Sequence, residues 1–163
     1  SGTQVGASFI EPSAFAMAKK WSKEKKIGLP VDVVVTKRLD DPSQVRTVSI
    51  DEIESDDLIV DVGRKTLKAW AHEVKQAQMI LWNGPVGIAE VPAYGAGSRF
   101  IARLVATRAK GEAYGVAGGG DTLPLIVETK TLPWFDYVST GGGALLEFVA
   151  KQGELPGLTP LLL

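Results

Sequence analysis

Two periods alternate along the chain, one of two residues and one of about 3.6, and each change of period marks a predicted element. Residues 13–28 open with a helix: Ser13 is its predicted N-cap, Phe15, Ala18 and Trp21 or Ser22 recur at helical spacing, and Gly28 closes it. Val31-Asp32-Val33-Val34-Val35 is a β-branched run between Pro30 and a polar stretch, which predicts a buried strand. Residues 45–50 alternate as a half-exposed strand, 51–57 read as an acidic solvated turn, and 58–62 form another buried strand closed by Gly63. A helix over 65–76 puts Leu67, Trp70, Ala71 and Val74 on one face. Strands follow at 79–82, 113–117 and 137–138. Helices are predicted from Pro92 to about 107, from 121 to about 129, and from 143 to about 151.

Strand and helix alternate throughout, which predicts an α/β protein: a three-layer, Rossmann-like, mainly parallel sheet with helices on both faces. Three Gly-rich turns fall at predicted strand ends: Asn83-Gly84-Pro85-Val86-Gly87 after the fourth strand run, Gly118-Gly119-Gly120-Asp121-Thr122, and Ser139-Thr140-Gly141-Gly142-Gly143. Open parallel sheets bind ligands at that edge. Glycines let backbone approach an anion at a helix N-terminus, with the Asp121 carboxylate alongside, and Asn83 can reach a ligand from its strand end. A single turn of this kind reads as a helix cap, whereas three together favour a nucleotide or phosphate site. The motif is none of the common ones. Gly95-Ala96-Gly97 lacks the third glycine of the dinucleotide fingerprint, no turn ends in Gly-Lys-Ser or Gly-Lys-Thr, and protein-kinase motifs are absent.

Composition narrows the classes. With 163 residues, 45% hydrophobic and 23% charged, the chain has one domain's worth of ordinary globular sequence. Lys+Arg 18 against Asp+Glu 19 leaves no basic excess, so nucleic acid and anionic membrane are not expected as main partners, and the 19–26 lysine cluster reads as a solvated helix face. No cysteine is present, which removes disulfides and thiolate chemistry. No signal peptide opens the chain and no apolar run approaches about 20 residues, so a cytoplasmic protein outside the membrane is expected. Ser1 to Ser8 lacks an initiator Met and reads as a processed, truncated or engineered start. The single histidine, His72, borders an apolar stripe and is read as a surface or packing residue. The acidic run at 51–57 lacks calcium-loop spacing.

The segments Trp82-Asn83-Gly84-Pro85-Val86-Gly87-Ile88-Ala89-Glu90, Gly118-Gly119-Gly120-Asp121-Thr122, Ser139-Thr140-Gly141-Gly142-Gly143-Ala144 and Glu154-Leu155-Pro156-Gly157 resemble, in order and spacing, the C-terminal half of phosphoglycerate kinase. Leu29-Pro30-Val31-Asp32 and Asp61-Val62-Gly63 extend the likeness over essentially all of residues 1–163. The resemblance implies phosphoryl exchange between 1,3-bisphosphoglycerate and ADP, forming 3-phosphoglycerate and ATP, with Mg²⁺. It implies Glu90 on the ribose hydroxyls, Pro85 and Ile88 as a wall of the adenine pocket, and Asn83 near the phosphates. Gly118, Gly119 and Gly120 would receive the phosphate chain, Asp121 would orient the magnesium, and Thr122 would follow with its hydroxyl. Thr140, Gly141, Gly142 and Gly143 would form the helix N-terminus facing the transferring phosphoryl group. The family's N-terminal substrate domain and the Gly-Gly-Ala-Lys strand end with its lysine have no counterpart here, and Arg64 stands where Pro is usual. The resemblance therefore implies an incomplete nucleotide-binding domain, inactive alone, partnered by the missing N-terminal part of the enzyme, which could be a separate chain.

Overall fold

The computed structural model describes residues 4–153, so the start at Ser1 and the Glu154-Leu155-Pro156-Gly157 ending lie outside the described residues. The chain forms two compact units, one from Ser1–Lys75 and Val86–Ile101, the other from Gln76–Pro85 and Ala102–Leu163.

In the first unit β1 (Asp32–Thr36) lies between β2 (Arg46–Ser49) and β3 (Leu58–Val62), antiparallel to both. Alternation of strand and helix does not produce a parallel sheet here, because the link from Thr36 to Arg46 carries no α-helix and parallel strands need a crossover of about a dozen residues or more. Val33, Val35, Val48 and Ile53 form its core. α1 (Phe15–Trp21) buries no residue. Ser13 does not cap it: a 3₁₀ turn (Pro12–Ala14) comes first, the Ser13 hydroxyl donates to Glu11 Oε1 at 2.7 Å, and the cap position falls on Ala14. The acidic run is not simply solvated. Asp57 is fully buried and accepts Arg46 Nη2 on both oxygens, while Lys37 pairs with Glu54 and Asp56, so resident cations already offset most of the charge of the cluster of Glu54, Asp56 and Asp57. α2 (Arg64–Gln76) turns Ala71 fully inward, with Leu67, Trp70 and Val74 half-buried, and leaves His72 exposed.

Pro92 starts a 3₁₀ turn (Pro92–Tyr94) rather than the helix, and α3 (Ala96–Ala109) follows Gly95. The turn is held by Tyr94, which is buried and donates its hydroxyl to the Leu39 carbonyl at 3.1 Å.

The second unit carries the expected parallel sheet: β4 (Met79–Asn83), β5 (Tyr114–Gly118) and β6 (Tyr137–Ser139), in that spatial order. α4 (Thr122–Glu128) follows β5 and α5 (Gly142–Ala150) follows β6. Trp82 is buried and stacks on Phe135 with ring centroids 6.5 Å apart. No helix among the described residues is long and apolar enough to cross a membrane.

Candidate functional site

Parallel pairing brings the three strand ends to one level. Asn83 is in register with Gly118, and Gly118 with Ser139, so the turns that follow β4, β5 and β6 open on the same edge of one sheet. The glycines are there because the turns touch. A Cβ on Gly142 would stand 2.6 Å from the Gly119 Cα and 2.8 Å from Asn83 Oδ1; one on Gly118 would stand 2.8 Å from the same Asn83 oxygen. Gly84 and Gly119 have φ of 102° and 105°, the left-handed region that glycine alone enters freely.

Thr122 fastens the arrangement. Its hydroxyl donates to the Gly118 carbonyl at 2.8 Å and accepts the Gly84 N–H at 2.9 Å, and the side chain is buried. The Gly119 N–H donates to the Ser139 carbonyl at 3.2 Å, which ties the β5 turn to β6. Asn83, Gly118, Gly119, Thr122 and Gly142 are thus brought together.

Beside this packed seam the surface is open. A Cβ on Gly120 or Gly143 would meet nothing within 4 Å. Asp121 and Thr140 are exposed, Asp121 holds the cap position of α4 without a side-chain hydrogen bond to the helix, and Gly141 caps α5 with its N–H donating to Ser139 Oγ at 3.3 Å. The first amides of α5 lack intrahelical acceptors by construction and carry the positive end of the helix dipole. An exposed carboxylate at the start of α4 fits Mg²⁺, which takes few protein ligands and completes its shell with phosphate and water. Pro85 belongs to this unit and is half-buried. Ile88 and Glu90 belong to the first unit, where the Ile88 N–H donates to the Val60 carbonyl at 2.9 Å and Glu90 is exposed.

Sequence reasoning gave no role to two buried carboxylates of the first unit. Asp32 accepts the Lys65 and Thr66 N–H groups at 3.0 and 2.7 Å, capping α2 from β1, and Thr66 Oγ1 adds a bond at 2.6 Å. Burial opposes its ionisation, yet the Thr66 hydroxyl and the two amides outweigh it and hold the Asp32 carboxyl below the usual aspartate range. Asp61 accepts the Gly97 N–H at 2.7 Å at the start of α3 and the Val62 N–H at 2.8 Å. Here burial prevails over both amides and the charge of Arg99, and the carboxyl titrates above the usual range. Ser98 completes the scaffold by accepting the Val86 and Gly87 N–H groups at 2.9 and 3.3 Å. The available signal was a lone aspartate inside a valine-rich strand, in Val31-Asp32-Val33 and Val60-Asp61-Val62.

The phosphoglycerate kinase family model matches residues 1–152. Among solved structures, phosphoglycerate kinase from Coxiella burnetii superposes with a TM-score of 0.84 at 36% identity, over 97% of this chain and 41% of that one. Phosphoglycerate kinase from Pyrococcus horikoshii OT3 gives 0.73 at 25% identity, over 92% of this chain and 36% of its own. The chain therefore spans well under half the length of these enzymes. Three glycine turns meeting at one parallel edge and a family match over nearly every residue lead to one conclusion: the chain belongs to the phosphoglycerate kinase family.

Proposed function

We propose that this chain is the C-terminal, nucleotide-binding part of a phosphoglycerate kinase and supplies its Mg²⁺-ADP/ATP site. The observation that carries this reading is the meeting of Asn83, Gly118, Gly119 and Gly142 beside open space at Gly120 and Gly143. The glycines let phosphate oxygens approach backbone amides, and any side chain at Gly120 or Gly143 would occupy that space. Asp121 holds the magnesium, Glu90 takes the ribose hydroxyls, and Pro85 and Ile88 flank the adenine. Magnesium, when bound, neutralises phosphate charge. Thr140, Gly141, Gly142 and Gly143 present the α5 N-terminus to the phosphoryl group, whose charge in flight is stabilised by amides fixed before the reaction begins. No protein nucleophile is needed, because transfer runs directly between 1,3-bisphosphoglycerate and ADP.

The same reading makes the chain inactive by itself. The basic phosphoglycerate site and the lysine on the transferring phosphate belong to the remainder of the enzyme, and closure of two domains excludes water around the substrates. A coupled kinase assay tests this. The chain alone gives calorimetric binding of Mg·ADP and no turnover, and adding the remainder of the enzyme produces turnover. Binding with no turnover in the mixture would instead favour a non-catalytic nucleotide-binding fragment, and absence of binding by the folded chain would overturn the reading.

A further inference from the structure

A groove of about 690 Å³ lies wholly in the first unit, lined by α2 and by Phe100 of α3. None of the residues at the three glycine turns lines it. Its α2 wall is cationic. Arg64, Lys68, His72 and Lys75 follow one another at steps of four, four and three, which puts them on one helix face over about 16 Å. Beside them Leu67, Ala71 and Phe100 make an apolar side, with Phe100 40% exposed. Glu73, the one acid of α2, does not line the groove. Elsewhere in the chain cations meet carboxylates, as Lys37 meets Glu54 and Arg108 meets Glu112. Among the described residues Arg64, Lys68 and Lys75 meet none within 4.0 Å. Nor does Arg64 support its helix, since it stands in the first turn, where the positive end of the dipole disfavours a cation.

We infer that this groove binds an extended acidic peptide segment of a partner protein, with carboxylates at alternate positions along the α2 wall and apolar side chains between them over Leu67, Ala71 and Phe100. The fit is one of charge and spacing. A strand returns to the same side about every 6.6 Å and four residues of helix rise about 6 Å, so carboxylates two residues apart meet Arg64 and Lys68 in step, and a further one reaches His72 or Lys75. The intervening side chains point the other way, toward the apolar side of the groove. A lone phosphate would use one or two of these cations and leave the rest of the stripe idle. A nucleic acid strand stacks its bases on successive aromatic rings, and the groove offers Phe100 alone. Each ion pair is solvent-exposed and contributes little, so the binding is weak and sensitive to salt. Nucleotide binding at the glycine turns is independent of it.

The test is fluorescence anisotropy of the full chain with a labelled peptide of about seven residues that alternates glutamate and valine, long enough to span the stripe. The expected result is saturable one-to-one binding that weakens at least tenfold when glutamine replaces glutamate in the peptide, and at least tenfold when salt is raised from about 50 to about 500 mM. Arg64→Glu and Lys68→Glu together change two exposed side chains and strand no partner, so circular dichroism is unchanged and the melting temperature does not fall, while binding weakens at least tenfold. Phe100→Ser keeps every charge and weakens binding about threefold or more. Absence of saturable binding overturns the proposal, as does binding indifferent to the charge reversals in a folded sample. Equal or tighter binding of oligothymidylate would make the groove a nucleic-acid surface, and displacement of the peptide by inorganic phosphate at equal concentration would make it a small-anion pocket; either result overturns the proposal. Mg·ADP should leave peptide binding unchanged. Competition between the two would move the peptide to the glycine turns and overturn the proposal as well.

Discussion

Gly142 and Gly143 are neighbours under different constraints. A methyl group on Gly142 would be driven into the Gly119 Cα, which is backbone and cannot swing away, so Gly142→Ala is expected to lower stability by about 1–3 kcal/mol in denaturant unfolding. A methyl group on Gly143 meets only open space, so Gly143→Ala should be neutral or slightly stabilising, by up to about 1 kcal/mol, while weakening Mg·ADP binding at least severalfold. Weakened binding without lost stability would mark that open space as the place of the phosphates; unchanged binding would put them elsewhere. Asp121 makes a similar test. Exposed and without a bond to its own helix, it supports little structure, so Asp121→Ala should cut Mg²⁺-dependent nucleotide binding and turnover of the reconstituted enzyme by a large factor at an unchanged melting temperature. Full activity in that variant would remove Asp121 from the metal site. The glycines were legible as residues because they cluster at strand ends. The work of Thr122 was not, because its partner Gly84 lies 38 positions away and nothing local announces it.

Elements were legible in proportion to how local their causes are. β3 runs over Leu58–Val62, as its apolar run predicts, since a strand's extent follows from its own side chains. The ends of α1 and α3 shifted because a 3₁₀ turn precedes each, and for α3 that turn depends on a buried Tyr94 reaching the distant Leu39 carbonyl. Strand direction in the first unit was legible between β1 and β2, whose link is too short and helix-free for a parallel crossover, although hydrophobic period by itself does not report it. The join between β1 and α2 gives a pH prediction. Because the Asp32 carboxyl titrates below its ordinary value of 3.8, the unfolded chain takes up that proton first, so the stabilisation is present above that pH and is lost as acid is added. Asp61, titrating above its ordinary value, contributes with the opposite sign: its folded carboxyl holds the proton longer, and stability falls as pH rises past 3.8. Asp32→Asn should therefore destabilise the chain by about 1–3 kcal/mol near neutral pH and flatten the loss of melting temperature as the pH is lowered past 3.8. An acid profile parallel to the unsubstituted chain's would show that the bonds from Lys65 and Thr66 do not depend on the charge.

At the scale of the molecule, the sequence foretells the α/β class and the parallel sheet of the second unit, and the family match extends over residues 1–152. It does not foretell that the chain forms two compact units, since composition was consistent with one domain and the division depends on which segments return to which sheet. The exposed apolar faces, Phe15 and Trp21 on α1 as well as Met79 and Tyr137 in the second unit, are likewise invisible to periodicity. An apolar stripe says that a face wants cover without saying whether the same chain provides it. We propose that the turns after β4, β5 and β6 hold the phosphates of a nucleotide, and backbone amide NMR during titration with Mg·ADP is the test. Saturable shifts are expected at Gly84, Gly118 to Thr122 and Gly141 to Gly143, diminished when magnesium is left out. Shifts confined to other parts of the chain, or none at all in a folded sample, would contradict it.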